Sequence, residues 1–111
     1  MVARNALTEA PPYAVEKALT KLGSRLRAAR LRRNLTIVEV GEKIGAGPRA
    51  VADAEKGKPS TSIAVYAALL WTFGLLRDLE AVAEIDPEGF ARASHTDRER
   101  ARQRHELSND F

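Results

Sequence analysis

The sequence predicts an all-α protein of five short helices with flexible ends, in a chain of 111 residues. Apolar residues recur at intervals of three and four through most of residues 15–83, which is the period of helices packed on one side. Residues that commonly begin or end helices, among them Thr36, Gly45, Pro48 and Gly57, divide this stretch into short segments. A chain of this length accommodates one domain with tails.

The first helical segment follows Ala-Pro-Pro at residues 10–12, and its apolar side chains share one face. These side chains are Val15, Ala18, Leu19, Leu22, Leu26 and Ala29. Gly23 lies within the pattern and lowers its helix propensity. One continuous helix and two pieces, 14–21 and 22–33, are both consistent with the pattern. Asn34, which tolerates the left-handed conformation, is predicted to end the segment.

The second and third helices are predicted to flank a tight turn. Thr36 is placed as the N-cap of the second helix, with Glu39 as its capping-box partner. This helix ends at Gly45, and a three-residue turn leads to Pro48, a residue favoured at a first helical position. The third helix runs to Lys56, and Gly57 ends it. Two short helices around such a turn are typical of a DNA-binding motif.

A fourth helix over residues 63–73, capped by Ser62, is apolar on almost every side. A helix without a polar face belongs in the centre of a domain or in a dimer interface. Gly74 ends it, and a fifth helix over residues 75–83 again has one apolar face. The sequence Asp-Pro-Glu-Gly at 86–89 ends this last helix.

These elements divide the chain into a flexible arm (1–13), a helix-turn-helix domain (14–85) and a charged tail (86–111). The tail contains RERARQRHE at 98–106 and few large apolar residues, so it cannot bury a core of its own. A solvated helix or disordered tail is the simplest interpretation. A partner-binding segment that folds on contact is the alternative.

The charge is unevenly distributed, although the net charge is only +3. Residues 21–60 contain ten basic and four acidic residues, whereas residues 61–90 contain one basic and five acidic residues. A basic segment that coincides with two helices around a turn indicates a polyanionic partner. An ordinary charged surface is the alternative.

Other function classes find little support in the composition. The chain contains no cysteine, and its two histidines, His95 and His105, both lie in the charged tail, so no metal site is predicted. No phosphate-binding glycine loop or catalytic triad is visible; we expect neither enzymatic activity nor a cofactor. The longest apolar run is too short to span a bilayer and no secretory signal is visible, so a cytoplasmic protein is predicted.

Two adjoining segments of the chain, residues 22–36 and 36–60, resemble the lambda-repressor-like, or Xre-type, helix-turn-helix family. LGSRLRAARLRRNLT (22–36) is similar to its first helix, and TIVEVGEKIGAGPRAVADAEKGKPS (36–60) to its two central helices and the following loop. The resemblance covers residues 22–83. It implies a five-helix fold, binding to double-stranded DNA, and an internal ion pair between Arg30 and Glu55.

The third helix should present its outer face to DNA. With Val51 inward and steps of 100° per residue, the outward residues are Arg49, Ala52, Asp53 and Lys56. Arg49 can contact guanine or a phosphate, and Ala52 a thymine methyl. Asp53 can accept a hydrogen bond from cytosine or pair with Arg49. The predicted DNA-binding residues are Thr36, Arg49, Ala52, Asp53, Lys56, Lys58, Arg32 and Arg33, with Lys56, Lys58 and the last two placed on phosphates.

Few of these side chains can discriminate bases, and Gly47 and Pro48 remove two further side chains from the interface. A sequence-specific repressor is the preferred interpretation. The alternative is a degenerate helix-turn-helix module that acts mainly in protein–protein contact.

A homodimer on a palindromic operator would compensate for a reader helix with few base contacts. The predicted interface is apolar and consists of Trp71, Leu75, Leu76 and Leu79. Residues 57–84, GKPSTSIAVYAALLWTFGLLRDLEAVAE, also resemble antitoxin regulators that partner HipA-like kinases. This resemblance implies a repressor of its own operon that restrains a kinase toxin.

Overall fold

A computed structural model describes residues 5–109, except for the side chains of residues 95–97 and 105–109. Every regular element within them is an α-helix, as the sequence predicts. The helices are α1 (Ala6–Glu9), α2 (Tyr13–Arg32), α3 (Ile37–Ile44), α4 (Pro48–Glu55), α5 (Ile63–Thr72), α6 (Leu76–Glu80) and α7 (Pro87–Asn109). The chain forms two compact units, one ending at Leu79 and the other beginning at Glu80. None of the described helices is long and apolar enough to cross a membrane.

Helix α2 runs without a break through Gly23, so the alternative of two pieces is wrong. Packing explains the glycine. A Cβ atom at Gly23 would lie 2.5 Å from the carbonyl oxygen of Ala54 and 2.7 Å from the amide nitrogen of Gly57. The absence of a side chain therefore lets the C-terminal end of α4 rest on the backbone of α2. This close approach offsets the lower helix propensity of glycine, about 1 kcal/mol.

The starts of α3 and α4 agree with the cap residues predicted for them. The Thr36 hydroxyl accepts a hydrogen bond from the Glu39 amide, and the Glu39 carboxylate accepts one from the Thr36 amide, both at 3.1 Å. Gly45 follows α3 with a φ of 71°, and Pro48 is the first residue of α4. Helix α4 ends at Glu55, one residue earlier than predicted, because Lys56 forms its C-cap.

The core of the first unit lies where α2, α3, α4 and α5 meet. Its buried apolar residues are Leu26, Ala29, Val40, Val51, Ala54, Tyr66, Leu69, Leu70 and Phe73. Four of the nine come from α5 and its C-cap, so this helix occupies the centre of the unit. One face of α5 nevertheless faces outward, since Ile63 is 69% exposed and Trp71 is 64% exposed.

Helix α6 is shorter than the fifth helix of the prediction, which was placed over residues 75–83. The amide of Leu75 donates to the carbonyl of Leu70 at 2.7 Å, so Leu75 belongs to the turn that closes α5. Ala83, with a φ of 60°, ends the segment in the left-handed conformation. Leu75 and Leu79 pack against the core of the first unit. Leu76 is half-buried.

The second unit consists of a turn and the long helix α7. The side chain of Asp86 accepts a hydrogen bond from the Gly89 amide at 3.0 Å and so supports the first turn of the helix. Within the described residues the charged tail is therefore helical from Pro87, and its described side chains are exposed. The side chains of His95 and His105 lie outside the described residues. Flexibility of the ends, the three-part division of the chain, and folding of the tail on a partner stay predictions.

Candidate nucleic-acid interface

Helix α4 presents one face to the core and the opposite face outward. Val51 and Ala54 are completely buried, whereas Arg49 and Lys56 are exposed. Ala52 is half-buried on the same outer side. The orientation therefore matches the one obtained by placing Val51 inward, and the two cations lie at the two ends of the outer face.

A groove between α2, α3 and α4 borders this face. It is lined by Arg27, Arg30, Ile37, Ala52, Glu55 and Lys56. Arg27 and Lys56 are exposed cations, whereas Ile37 and Ala52 are half-buried and apolar. The groove thus combines two exposed positive charges with less exposed hydrocarbon, a combination that suits a polyanion carrying an apolar group.

Arg30 and Glu55, which the resemblance pairs, form one wall of the groove. Arg30 Nε donates to Glu55 Oε2 at 2.7 Å, and Arg30 Nη2 donates to Glu55 Oε1 at 3.0 Å. A third donor, Arg30 Nη1, bonds the carbonyl of Leu35 at 2.8 Å. The hydrogen bonds to Glu55 raise the pKa of Arg30 above its ordinary value, although burial acts in the opposite direction. Arg30 and Glu55 therefore bind each other, and neither charged group is free to contact DNA.

Asp53 pairs with Lys58 rather than with Arg49. The distance from Lys58 Nζ to Asp53 Oδ1 is 3.2 Å. The backbone reinforces this contact, because the Lys58 amide donates to the Asp53 carbonyl at 3.1 Å. The Tyr66 hydroxyl then donates to the Lys58 carbonyl at 3.0 Å, and burial raises the pKa of this tyrosine. The loop after α4 is thus held in place, and the acidic group on the outer face carries its own counter-ion.

Two neighbouring arginines at the end of α2 have different surroundings. Arg33 donates to the carbonyls of Ala29 and Phe73, each at 2.8 Å, and its guanidinium lies 5.2 Å from the centre of the Phe73 ring. The side chain predicted to contact phosphates therefore joins the ends of α2 and α5. Arg32 is exposed. Neither Arg32 nor Arg49 has a side-chain hydrogen bond or ion pair within the described part of the chain.

The remaining predicted residue, Thr36, is exposed and uses its hydroxyl to cap α3. Arg27 and Ile37 also line the groove, although neither is among the predicted DNA-binding residues. The signal for Arg27 was present: it lies three positions before Arg30, and residues three apart share a helix face. The resemblance pairs Arg30 with Glu55, which lies on α4. Arg27, on the same face of α2 as Arg30, is therefore expected to lie near α4 as well.

Comparison with known proteins gives one match. Residues 21–83 match the family described as helix-turn-helix domain, which covers more than half of the chain. No curated protein and no solved structure matches the chain. The matched region contains most of α2 together with α3, α4, α5 and α6. It therefore includes the groove and the outer face of α4.

Proposed function

The chain belongs to the helix-turn-helix domain family, and from this premise we propose that it is a sequence-specific transcriptional regulator that binds duplex DNA. The observation that carries the proposal is the outer face of α4. It holds the exposed Arg49 and Lys56, with the exposed Arg27 across the groove. In helix-turn-helix proteins the second helix of the motif enters the major groove, with its N-terminal residues against the base edges.

Arg49 is the principal polar reader in this proposal. It is the second residue of α4, so it stands at the end of the helix that approaches the bases. Its guanidinium is exposed and can form the two parallel hydrogen bonds that guanine accepts in the major groove. Lys56, Arg27 and Arg32 would contact phosphates and supply affinity without sequence preference.

A homodimer forms the second part of the proposal. Ile63, Ala64, Ala67 and Trp71 occupy positions within about 100° of one another on α5, and they form an apolar stripe at the surface. A second copy that covers this stripe would place two reader helices on a palindromic operator. Of the predicted interface residues, Trp71 is the most accessible. Leu75 and Leu79 already contact the core of their own unit, and Leu76 is half-buried.

The resemblance of residues 57–84 to antitoxin regulators supports a finer proposal, in which the protein represses its own operon and restrains a HipA-like kinase. The test is co-purification from the native host together with inspection of the adjacent genes. Recovery of a kinase-like protein encoded next to this chain would support it. A chain with no such neighbour and no co-purifying protein would remove the antitoxin role and leave the DNA-binding role intact.

A selection from random duplexes at low and at physiological salt tests the DNA-binding proposal. We expect an enriched palindrome, and we expect Arg49→Ala to weaken binding to it more than binding to random DNA. The matched control is Lys56→Ala, which should weaken both by similar factors because phosphate contacts carry no sequence information. Absence of binding even at low salt would favour the alternative, a module used only for protein contact.

A further inference from the structure

We infer that the groove between α2, α3 and α4 recognises thymine by apolar contact with its 5-methyl group in the major groove of duplex DNA. The inference rests on the proposed function and adds to it the base that this groove selects. It concerns Ile37 and Ala52, whose side chains line the groove beside the outer face of α4.

The lining of the groove combines hydrocarbon side chains with polar groups that are already paired. Ile37 and Ala52 offer only hydrocarbon, and both are half-buried. The polar side chains behind them, Arg30 and Glu55, are 9% and 7% exposed and bind each other. The inner part of the groove therefore presents no free hydrogen-bonding side chain. Among the base edges in the major groove, the feature that is recognised without a hydrogen bond is the methyl group of thymine.

The charges of the groove favour DNA, a polyanion, over a purely apolar ligand. Arg27 and Lys56 line the same groove, are exposed, and are complementary to phosphates. A groove lined by cations in this way attracts the edge of a duplex, in which anionic phosphates border the bases. A purely hydrophobic partner would gain nothing from these two cations.

Cytosine and guanine find poorer partners at this position. Cytosine presents an amino donor and requires an acceptor, but the acceptor on this face, Asp53, is paired with Lys58 at 3.2 Å. Guanine requires donors; the proposal assigns Arg27 and Lys56 of the groove to phosphates, which leaves Arg49, at the N-terminal end of α4, for guanine. The two helices therefore contact different bases. Arg49 of α4 contacts guanine, and Ile37 of α3 together with Ala52 of α4 contacts thymine.

Replacement of thymine by deoxyuridine tests the inference, because this change removes the methyl group and leaves every hydrogen-bonding edge unaltered. The probe is the duplex enriched by the selection described above, with each thymine replaced in turn. We expect the dissociation constant to rise about fourfold at one or two thymines, as the loss of one buried methyl group predicts. Replacement at the other thymines should have little effect.

A pair of variants identifies the protein side of the contact. Ala52→Gly removes one of the two apolar side chains that line the groove, so the penalty for deoxyuridine should fall clearly below fourfold in this variant, in which Ile37 alone remains. Ala50→Gly is the matched control, since Ala50 lies on the same helix, is also half-buried and does not line the groove. It carries the same loss of helix propensity and should keep the fourfold penalty. Thermal melting of both variants verifies that they are folded.

Three results would overturn the inference. Equal affinity for the thymine and deoxyuridine duplexes would show that no methyl group is recognised. A penalty that persists unchanged in Ala52→Gly would remove Ala52 from the methyl contact and so overturn the assignment to the pair. Binding without any enriched sequence would remove base recognition, and with it the sequence specificity of the proposed function, but leave DNA binding; absence of all DNA binding would remove the proposed function entirely.

Discussion

Arg30 and Glu55 hold each other through two hydrogen bonds of 2.7 and 3.0 Å, although they lie twenty-five positions apart in the chain. Both side chains are more than nine-tenths buried. Because Arg30 also bonds the carbonyl of Leu35, one guanidinium connects α2, the residue before the Thr36 cap, and the last residue of α4. The buried ion pair therefore ties the end of α4 to α2 and to the residue before the α3 cap, in addition to the apolar core that these helices share.

Removal of one partner should be costly. We expect Glu55→Ala to lower the free energy of unfolding by roughly 3–5 kcal/mol, because Arg30 would remain charged and buried without a counter-ion. Chemical denaturation followed by circular dichroism measures this change. The double variant Arg30→Met, Glu55→Leu removes both charges and should recover most of the loss. Equal instability of the single and double variants would contradict the explanation based on an uncompensated charge.

Gly23→Ala tests the close approach of α2 and α4. In an isolated helix this change would be stabilising by about 1 kcal/mol. Here the added Cβ meets the backbone of Ala54 and Gly57, neither of which can rotate away, so we expect a net destabilisation of about 1–3 kcal/mol. The neighbouring Ser24→Ala is the control, since Ser24 is exposed and the change should be neutral or slightly stabilising. A higher melting temperature for Gly23→Ala would contradict this packing.

The helix boundaries were predictable where local chemistry determines them. Thr36 with Glu39, Gly45 and Pro48 are cap and turn residues whose effect depends on their immediate neighbours. The continuity of α2 was not predictable in this way. The role of Gly23 depends on the backbone of residues 54–57, which only the tertiary fold brings near it.

In the candidate site, too, the features set by local sequence were predictable, and those set by the tertiary fold were not. Periodicity sufficed to place Arg49 and Lys56 on the outer face of α4, because the direction of a side chain on a helix follows from its position. The partners of long charged side chains did not follow from sequence. Arg33 bonds the carbonyl of Phe73, forty residues away, and Asp53 pairs with Lys58 beyond the end of α4. Such contacts depend on where loops and helix ends converge.

Arg32 and Arg33 provide a matched test of this distinction. We expect Arg33→Ala to lower stability by about 1–2 kcal/mol, since it removes hydrogen bonds from a charged donor to two carbonyls and the contact with the Phe73 ring. Its effect on the salt dependence of DNA binding should be small. Arg32→Ala should do the reverse: leave the melting temperature unchanged and reduce the salt slope by about 1. Exchange of the two phenotypes would refute the assignment.

Asp53→Asn tests the counter-ion on the outer face. The change removes a negative charge and releases the ammonium group of Lys58, which lies 3.2 Å from the carboxylate. We therefore expect tighter binding to random DNA and a salt slope larger by about 1, as one more phosphate contact requires. Titrations at several salt concentrations measure both quantities. The double variant Asp53→Asn, Lys58→Gln should return the slope to that of the parent. A slope that is unchanged in Asp53→Asn would show that Lys58 contacts no phosphate when released.

Trp71 allows the proposed dimer to be tested with the protein's own fluorescence, because the chain contains a single tryptophan. The side chain is 64% exposed, so the monomer should emit at the long wavelengths of a hydrated indole. If a second copy covers the apolar stripe of α5, the emission should shift to shorter wavelengths as the concentration rises, in parallel with the mass measured by light scattering.

Trp71→Glu should abolish self-association and leave the melting temperature of the monomer unchanged. Leu79→Ala is the contrasting variant: Leu79 packs against the core, so its truncation should lower stability by about 1–2 kcal/mol. A dimer that persists in Trp71→Glu would place the interface away from α5.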